Sequence, residues 1–300
     1  MSFTTFIKRQ ANKSIFLKRA YGAARWKLHV LRDSWGALVW TRTKITTTPL
    51  GFKLTAGLHP AYDQMRNGTF EPNETALIVS MLQHIDRFID VGANLGYYTC
   101  VALQGGRKVM AIEPQPRNLR SLFQNLITNG WEREAEVMPV ALADAPGLLT
   151  LYGASGPSAS LLQSWAGYSS RYHQTVAVST LDNLLAGRFD SERLLIKIDV
   201  EGAELGVLRG AQATLRRDVR PVWLLEVCLH EFHPEGFNPD FLGVFHQFWD
   251  NGYEAYTAEE SPRLVPRERV EEWWKARRTD SGTFNYVFAR HDAMAAFTAP

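Results

Sequence analysis

The sequence predicts an α/β domain in which helices cover both faces of a mostly parallel sheet. Two observations carry that prediction. From Phe88 onward, apolar runs of strand length alternate with segments of helical period, the rhythm of a parallel sheet joined by right-handed crossovers. Within that series "FIDVGANLGYYT", residues 88–99, passes from a short apolar strand through Gly92 and Gly96 into a helix-compatible run. That is how a strand hands its chain to a helix across a ligand. A chain of 300 residues, 45% hydrophobic and 21% charged, has the core of an ordinary globular protein with one large domain or two modest ones.

The elements follow in order. "ITTTPLGFKLTAG" (45–57) alternates as a short hairpin or meander, and "EPNETALIVSMLQHI" (71–85) reads as a helix. Asn73 is its expected N-cap, with Ala76, Leu77, Val79, Met81 and Leu82 on the apolar face. "RFIDVG" is a buried strand, "YYTCVALQGG" a helix closed by glycines and "KVMAIEP" a second strand. "PRNLRSLFQNLITNGW" is a helix with Leu119, Leu122, Phe123 and Leu126 on one side, and "AEVMPVALAD" a third strand. Residues 145–180 break the rhythm, with "GLLTLY" and "TVAVSTL" as candidate strands of an antiparallel insertion. "RLLIKIDVEG" is the strongest strand, followed by the helix "AELGVLRGAQATLRR" and a fifth buried strand, "RPVWLLEVCL". "DFLGVFHQFWDNGY" is one more helix, and "EAYTA" and "FNYVFAR" are expected as an antiparallel edge pair. The organisation read from this is a basic N-terminal extension (1–70), a main domain (71–292) with the insertion at about 145–180, and a tail (293–300).

The formal charge of +2 conceals an asymmetry. Residues 1–50 carry ten Lys or Arg against Asp33 alone, so that segment is +9 and the remainder −7. Phe3, Phe6, Phe16, Tyr21, Trp26, Trp35 and Trp40 are interleaved with its charges. Such a segment packs on its own domain or a partner subunit, rests on an anionic membrane surface, or tracks nucleic acid. The first is the expected role, with peripheral membrane contact through residues 1–45 as the alternative and no nucleic-acid partner. Charges interrupt every apolar stretch near the N-terminus, so no secretory signal is read, and a cytoplasmic protein is expected. Cys100 and Cys228 have no metal-type spacing and read as buried, reduced thiols.

The glycine loop narrows the ligand. Gly92-Ala93-Asn94-Leu95-Gly96 lacks the G-x-G-x-x-G dinucleotide spacing, and no Gly-Lys-Ser/Thr closes it as a Walker loop. Asp90 would aim a carboxylate at the loop, which is unwelcome beside a pyrophosphate and suited to an ammonium or sulfonium. The chemistry favours a zwitterionic, cationic donor. Glu113 ends the second strand, 21 positions after Gly92, where an acid pairs with ribose hydroxyls in nucleoside-binding α/β folds. Asp144 ends the third strand, within reach of an adenine edge. Singly, these acids would pass as a turn former, a surface acid before Pro114 and a cap. At three successive strand ends they read together as a nucleoside site.

"DVGANLGYYT", "AIEP", "VALAD", "STLDNLL" and "IKIDVEGAELGVLRGA" together resemble the FkbM family of S-adenosylmethionine-dependent methyltransferases, over roughly residues 86–255. The resemblance implies a Rossmann-like class I methyltransferase, with a seven-stranded sheet whose last strand is inserted antiparallel, and S-adenosyl-L-methionine as co-substrate. It also implies that Asp90, Gly92, Asn94 and Gly96 form the methionine-side loop, that Glu113 holds the ribose, and that Asp144 lies near the adenine.

Methyl transfer from a sulfonium is an in-line displacement, so the protein's task is to align the acceptor and accommodate its proton. Candidates belong at the ends of the fourth and fifth strands. These are Asp199, Glu201 and Glu204 in "KIDVEGAE", then Glu226, and His230, Glu231 and His233 in "HEFHP". In one mechanism Asp199 or Glu201 is general base or acceptor-positioning carboxylate, with His230 or His233 sharing the role. In the other, Asp199, Glu201, Glu226 and a histidine hold a divalent cation that lowers a hydroxyl's pKa. No tight ligand motif supports the second, so no metal ligand is assigned. Plainer roles are open too: capping by Glu201 and Glu204, a salt bridge at Glu226, loop hydrogen bonds at the histidines. Lys197 is expected on the sheet's other face, as a structural residue. Ser158, Ser160, Trp165, Tyr168 and Tyr172 of the insertion could roof an acceptor pocket.

The leading functional reading is O-methylation of a hydroxyl on a sugar, glycan or natural-product small molecule. A non-catalytic donor-binding partner or membrane scaffold is a second reading, opposed by the intact "DVEG". A nucleic-acid methyltransferase is a third, opposed by the acidic main domain and by the lack of an "NPPY"-type motif.

Overall fold

Five consecutive buried residues, Arg87–Val91 (β3), form an interior strand of the sheet, buried on both sides because helices cover both of its faces. The computed structural model describes residues 44–57, 60–153, 159–167 and 170–298. Nearly all of the basic segment, and Ser158 and Tyr168 of the insertion, lie outside the described residues. Those described fall within one compact unit, Arg42–Pro300.

β3 pairs in parallel with Lys108–Ile112 (β4) on one side and Leu194–Ile198 (β9) on the other. Ala135–Met138 (β5) extends the sheet beyond β4, and Val222–Glu226 (β10) extends it beyond β9, both in parallel. Next comes Asn285–Ala289 (β13), antiparallel to β10 and to Glu254–Thr257 (β11), with Leu264–Val265 (β12) at the edge. The order is therefore β12-β11-β13-β10-β9-β3-β4-β5. Seven of these strands reproduce the expected sheet, and the two-residue β12 makes an eighth. The late strands do pair antiparallel, yet β13 is interior and buried throughout rather than at the edge.

Period-two alternation sorts the strands' side chains onto two cores. Phe88, Leu195 and Leu224 face one core, with Phe52, Leu54, Met65 and Ile78. The first face is covered by the hairpin Lys44–Thr47 (β1) and Lys53–Ala56 (β2) and by helices Pro60–Asn67 (α1), Pro72–Met81 (α2), Tyr97–Gln104 (α3) and Pro116–Asn129 (α4). Ile89, Ile196 and Trp223 face the other, with Val207, Phe245 and Phe248. Leu181–Leu185 (α5), Glu204–Arg209 (α6), Gln212–Leu215 (α7), Phe241–Trp249 (α8) and Arg267–Ala276 (α9) contribute to that second core. The last helix is His291–Thr298 (α10). The hairpin and α1 share the core of the main domain, so the compact body begins well before residue 71.

Four local expectations are corrected. The N-cap of α2 is Glu71 rather than Asn73, with Pro72 at the first helical position. The apolar face of α2 is Leu77, Ile78 and Met81, leaving Ala76 and Val79 exposed. On α4 the buried stripe takes in Asn118 and Asn125, whereas Phe123 is exposed. The third strand breaks at Pro139: β5 ends at Met138, and Ala141–Leu142 (β6) joins a separate three-stranded sheet. That sheet is completed by Gly147–Tyr152 (β7) and His173–Ser179 (β8), an antiparallel pair within the insertion. Among the described residues, no helix is long and apolar enough to cross a membrane.

Asn125 ties the hairpin to the glycine loop. It is 0% exposed, its Oδ1 accepts from Thr55 N (2.6 Å), and its Nδ2 donates to Leu95 O (2.8 Å). Asn125→Ala leaves both backbone groups without that partner and should cost about 3 kcal/mol in urea unfolding. Ile127→Ala, on the solvent side of the same helix, should cost under about 0.5 kcal/mol, and equal losses would refute the bridging role.

Candidate active site

The turn after β3 is shaped by what it must avoid. Gly92 has φ 84°, and a Cβ there would stand 1.9 Å from Asp199 O, so only glycine lets β3 and the end of β9 close up. Gly96 (φ 88°) is the residue before α3, and its missing Cβ leaves room for Leu122 Cδ1, which would be 2.4 Å away. Between them Asn94 takes a left-handed conformation (φ 53°) and donates its backbone N–H to Glu113 Oε2 at 2.8 Å. Asp90 is 2% exposed and accepts from Thr99 Oγ1 at 2.6 Å. Burial pushes its carboxyl above the ordinary carboxylate range, although Lys197 and the Thr99 hydroxyl oppose that shift.

Glu113 is buried at the end of β4. Besides Asn94 N, it accepts from Gln115 N (2.8 Å) and Asn118 Nδ2 (3.3 Å). Burial pushes it up to about 7, against these three donors. Its carboxylate lines a cavity walled by Val91, Val140, Leu142, Leu151 and Leu161, a slot with apolar walls, Glu113 at its side, and Asp199 and Glu201 also in its lining. Two carboxylate oxygens offer about four acceptor positions, so one remains for a ligand hydroxyl. Asp144 does not reach this slot. The chain break at Pro139 diverts β6 into the smaller sheet and carries Asp144 into an exposed turn, leaving Val140, Ala141 and Leu142 where an adenine edge was expected to meet an acid.

A second cavity lies against the first face of the sheet and shares Gly92, Asn94, Asp199 and Glu201 with the slot. The two enclose about 510 and 1020 Å³ of empty space, open mouths included. Glu71, Asp90, Asp199, Glu201 and Glu226 line the second cavity, together with Lys197. The expectation for Lys197 is overturned. Register places it directly beside Asp90, and period two places it on the face of Asp199, to whose Oδ2 its Nζ donates at 2.7 Å. A lysine within the apolar run "LLIKI" was the signal, since a buried cation requires a partner.

Glu201 is held in a left-handed conformation (φ 56°), uncommon for a residue with a side chain. Trp165 Nε1 donates to its Oε2 (2.5 Å), and Ser160 Oγ donates to its backbone carbonyl (2.6 Å). The insertion thus supplies Trp165 and Ser160 to the site, whereas Tyr172 is exposed and lines neither cavity. Burial, and then the neighbouring Asp199, raise the Glu201 carboxyl well above its ordinary range. Glu226 is raised by the same causes in the same order. Glu204 accepts from Gly202 N (2.9 Å) as a local cap. Glu71 carries no signal in its own residue type; only its place before Pro72 and its left-handed backbone (φ 40°) mark it. It accepts from Tyr98 OH at 2.6 Å, and burial pushes it up to about 7.

His230 is not brought to either cavity. Its ring nitrogens meet Gly236 O (2.8 Å) and Arg277 O (2.6 Å), so it fastens its loop to the end of α9. His233 packs edge-on to Trp165, at 6.1 Å between ring centres, and burial lowers its pKa. Among the described residues, no group of three or more His, Cys, Asp or Glu is disposed to hold a metal ion.

A family profile described as the methyltransferase FkbM domain matches residues 90–255. Among solved structures, the chain is similar to methyltransferase FkbM from Methylobacillus flagellatus KT, at 15% identity and TM-score 0.42, over 68% of this chain and 43% of that one. The chain therefore spans less than half the length of that protein. It is also similar to a SAM-dependent O-methyltransferase from Thermotoga maritima (12% identity, TM-score 0.38, 82% of this chain and 77% of that one). An O-methyltransferase from Bacillus cereus, in complex with SAH, is similar at 12% identity and TM-score 0.40, over 72% of this chain and 78% of that one. No curated protein matches the chain. The profile takes in the glycine loop, Glu113 and the Asp199–Glu201 turn, over more than half of the 300 residues, and on that match the chain belongs to the methyltransferase FkbM domain family.

Proposed function

We propose that this chain transfers the methyl group of S-adenosylmethionine to a hydroxyl of a sugar, glycan or natural-product small molecule. The observation that carries the reading is the junction of two unlike cavities at Gly92, Asn94, Asp199 and Glu201. One is a slot with apolar walls and Glu113 at its side, suited to a nucleoside; the other is acid-lined, suited to a cationic amino-acid tail and an acceptor. The residues fit that donor. Gly92 contributes no side chain to the junction, Glu113 keeps an acceptor position for a ribose hydroxyl, and Asp90 faces the second cavity.

When bound, S-adenosylmethionine supplies a methyl group on a sulfonium. In the overall reaction the acceptor oxygen forms the new O–CH3 bond, the S–CH3 bond breaks with its electron pair left on sulfur, and the hydroxyl proton must be taken up. Asp199 and Glu201 line both cavities and therefore stand where donor and acceptor meet. Glu201 is the proton acceptor in this reading, since burial strengthens the basicity of its ionised form, and Lys197 holds Asp199 by an ion pair. Asp199 orients the acceptor. Phe232 and Phe284, both 40% exposed, offer the second cavity flat apolar walls for the rest of the acceptor.

Glu201→Gln should keep donor affinity within about threefold while lowering methyl transfer about a hundredfold or more. The assay is transfer of an isotopically labelled methyl group into fractionated cell extract. Undiminished transfer would remove Glu201 from the chemistry.

Donor affinity should also depend on pH. Glu113 sits near 7 in the free protein, and ribose hydroxyls favour its ionised form. Affinity should therefore be full above 7 and fall by up to about tenfold per unit below it, as bound protons must first be released. Calorimetry between pH 8 and 6 checks this; a profile equally flat in wild type and Glu113→Gln would contradict the assignment.

A further inference from the structure

Lys197 stands apart from every other residue lining the two cavities. Among the described residues it is their sole cationic side chain, facing five carboxylates in the larger one. It is 5% exposed, and burial alone disfavours its charge. Asp199, Glu71 and Asp90 outweigh that penalty and keep it protonated. An ammonium has three N–H donors. Among the described residues one goes to Asp199 Oδ2, and the ring face of Tyr98 lies 4.8 Å away. Two donors remain for the cavity that the side chain lines.

Register supplies the second observation. Asp90 and Lys197 are direct partners on adjacent parallel strands and lie on the same face of the sheet. One anion and one cation therefore stand side by side, about 4.8 Å apart along the pairing direction. An α-amino acid carries its ammonium and its carboxylate on one carbon, so the pair matches both charges at once. Without Lys197, every charged side chain that a ligand carboxylate would meet among the described residues of this cavity is an acid: Glu71, Asp90, Asp199, Glu201 and Glu226.

We propose that Asp90 and Lys197 form a zwitterion clamp for the amino-acid end of the donor. Asp90 accepts from the ligand ammonium. Lys197 donates to the ligand carboxylate while keeping its bond to Asp199, and so couples the donor's tail to a carboxylate at the cavity junction. This rests on the donor reading above, and it makes the site selective for ligands that retain the carboxylate.

The test is calorimetry on the full chain with three probes: S-adenosylhomocysteine, its decarboxylated analogue, and 5′-methylthioadenosine, which lacks the amino-acid end. Wild type should bind S-adenosylhomocysteine about tenfold to about a hundredfold more tightly than the decarboxylated analogue, the span of a charged hydrogen bond. Lys197→Met should erase that difference while leaving 5′-methylthioadenosine affinity unchanged. Equal wild-type affinity for the first two probes overturns the clamp, as does a Lys197→Met loss shared equally by all three. Equal wild-type affinities overturn the clamp even if Lys197→Met fails to fold, and Lys197→Arg, which keeps the cation, should retain the preference. If none of the three probes binds wild type, the donor reading itself falls.

Discussion

The charged row Asp90–Lys197–Asp199, set into the apolar strands at the middle of the sheet, is the constraint around which the rest is arranged. A buried ammonium is tolerated only when paired, and its partners are then fixed in turn. Lys197 reaches Asp199 along its own strand and lies beside Asp90 on the next. Asp90 is steadied from outside the row by Thr99, on the helix that the glycine loop begins. The strands could not exchange neighbours or slip by one residue without placing a charge in the opposite core, beside Ile89 and Ile196. Electrostatics here fixes register.

Around that row, backbone geometry decides where a ligand can lie. The close approach of Asp199 O to Gly92 brings the ends of β3 and β9 together. Asn94 and Glu113 then bind the loop to the end of β4 through one short hydrogen bond, so the acid at the slot also holds the turn. The insertion contributes from the other side, where Trp165 and Ser160 hold Glu201 in a conformation that its own sequence would not favour. Strain at that position is sustained by two hydrogen bonds from 36 and 41 residues away, which is how a site keeps a side chain aimed against local preference.

Much of this was legible in the sequence. The alternation of strands and helices, the glycine loop and the acids at Asp90, Glu113 and Asp199 depend on local pattern, and the structure places all three acids at cavity walls. What escaped depends on register or on distant partners. Lys197 lies on the face opposite to the one expected, because the side of a lone polar residue in a fully buried strand is set by pairing with Asp90, which periodicity within one strand does not report. Asp144 resembles a strand end only if "VMPVALAD" is one continuous strand, and Pro139 breaks that ladder. His230 sat in a suggestive motif, but its partner Arg277 lies 47 residues on. Glu71 lies outside the segment carrying the family pattern and enters the site through an unusual cap.

Whether one donor spans both cavities can be read from a crystal structure of the full chain with S-adenosylhomocysteine. Adenine should lie in the apolar slot between Val140 and Leu161, with a ribose hydroxyl on Glu113 and the amino-acid end beside Asp90 in the second cavity. A ligand found elsewhere on the protein, with the slot beside Glu113 filled only by solvent, would contradict it.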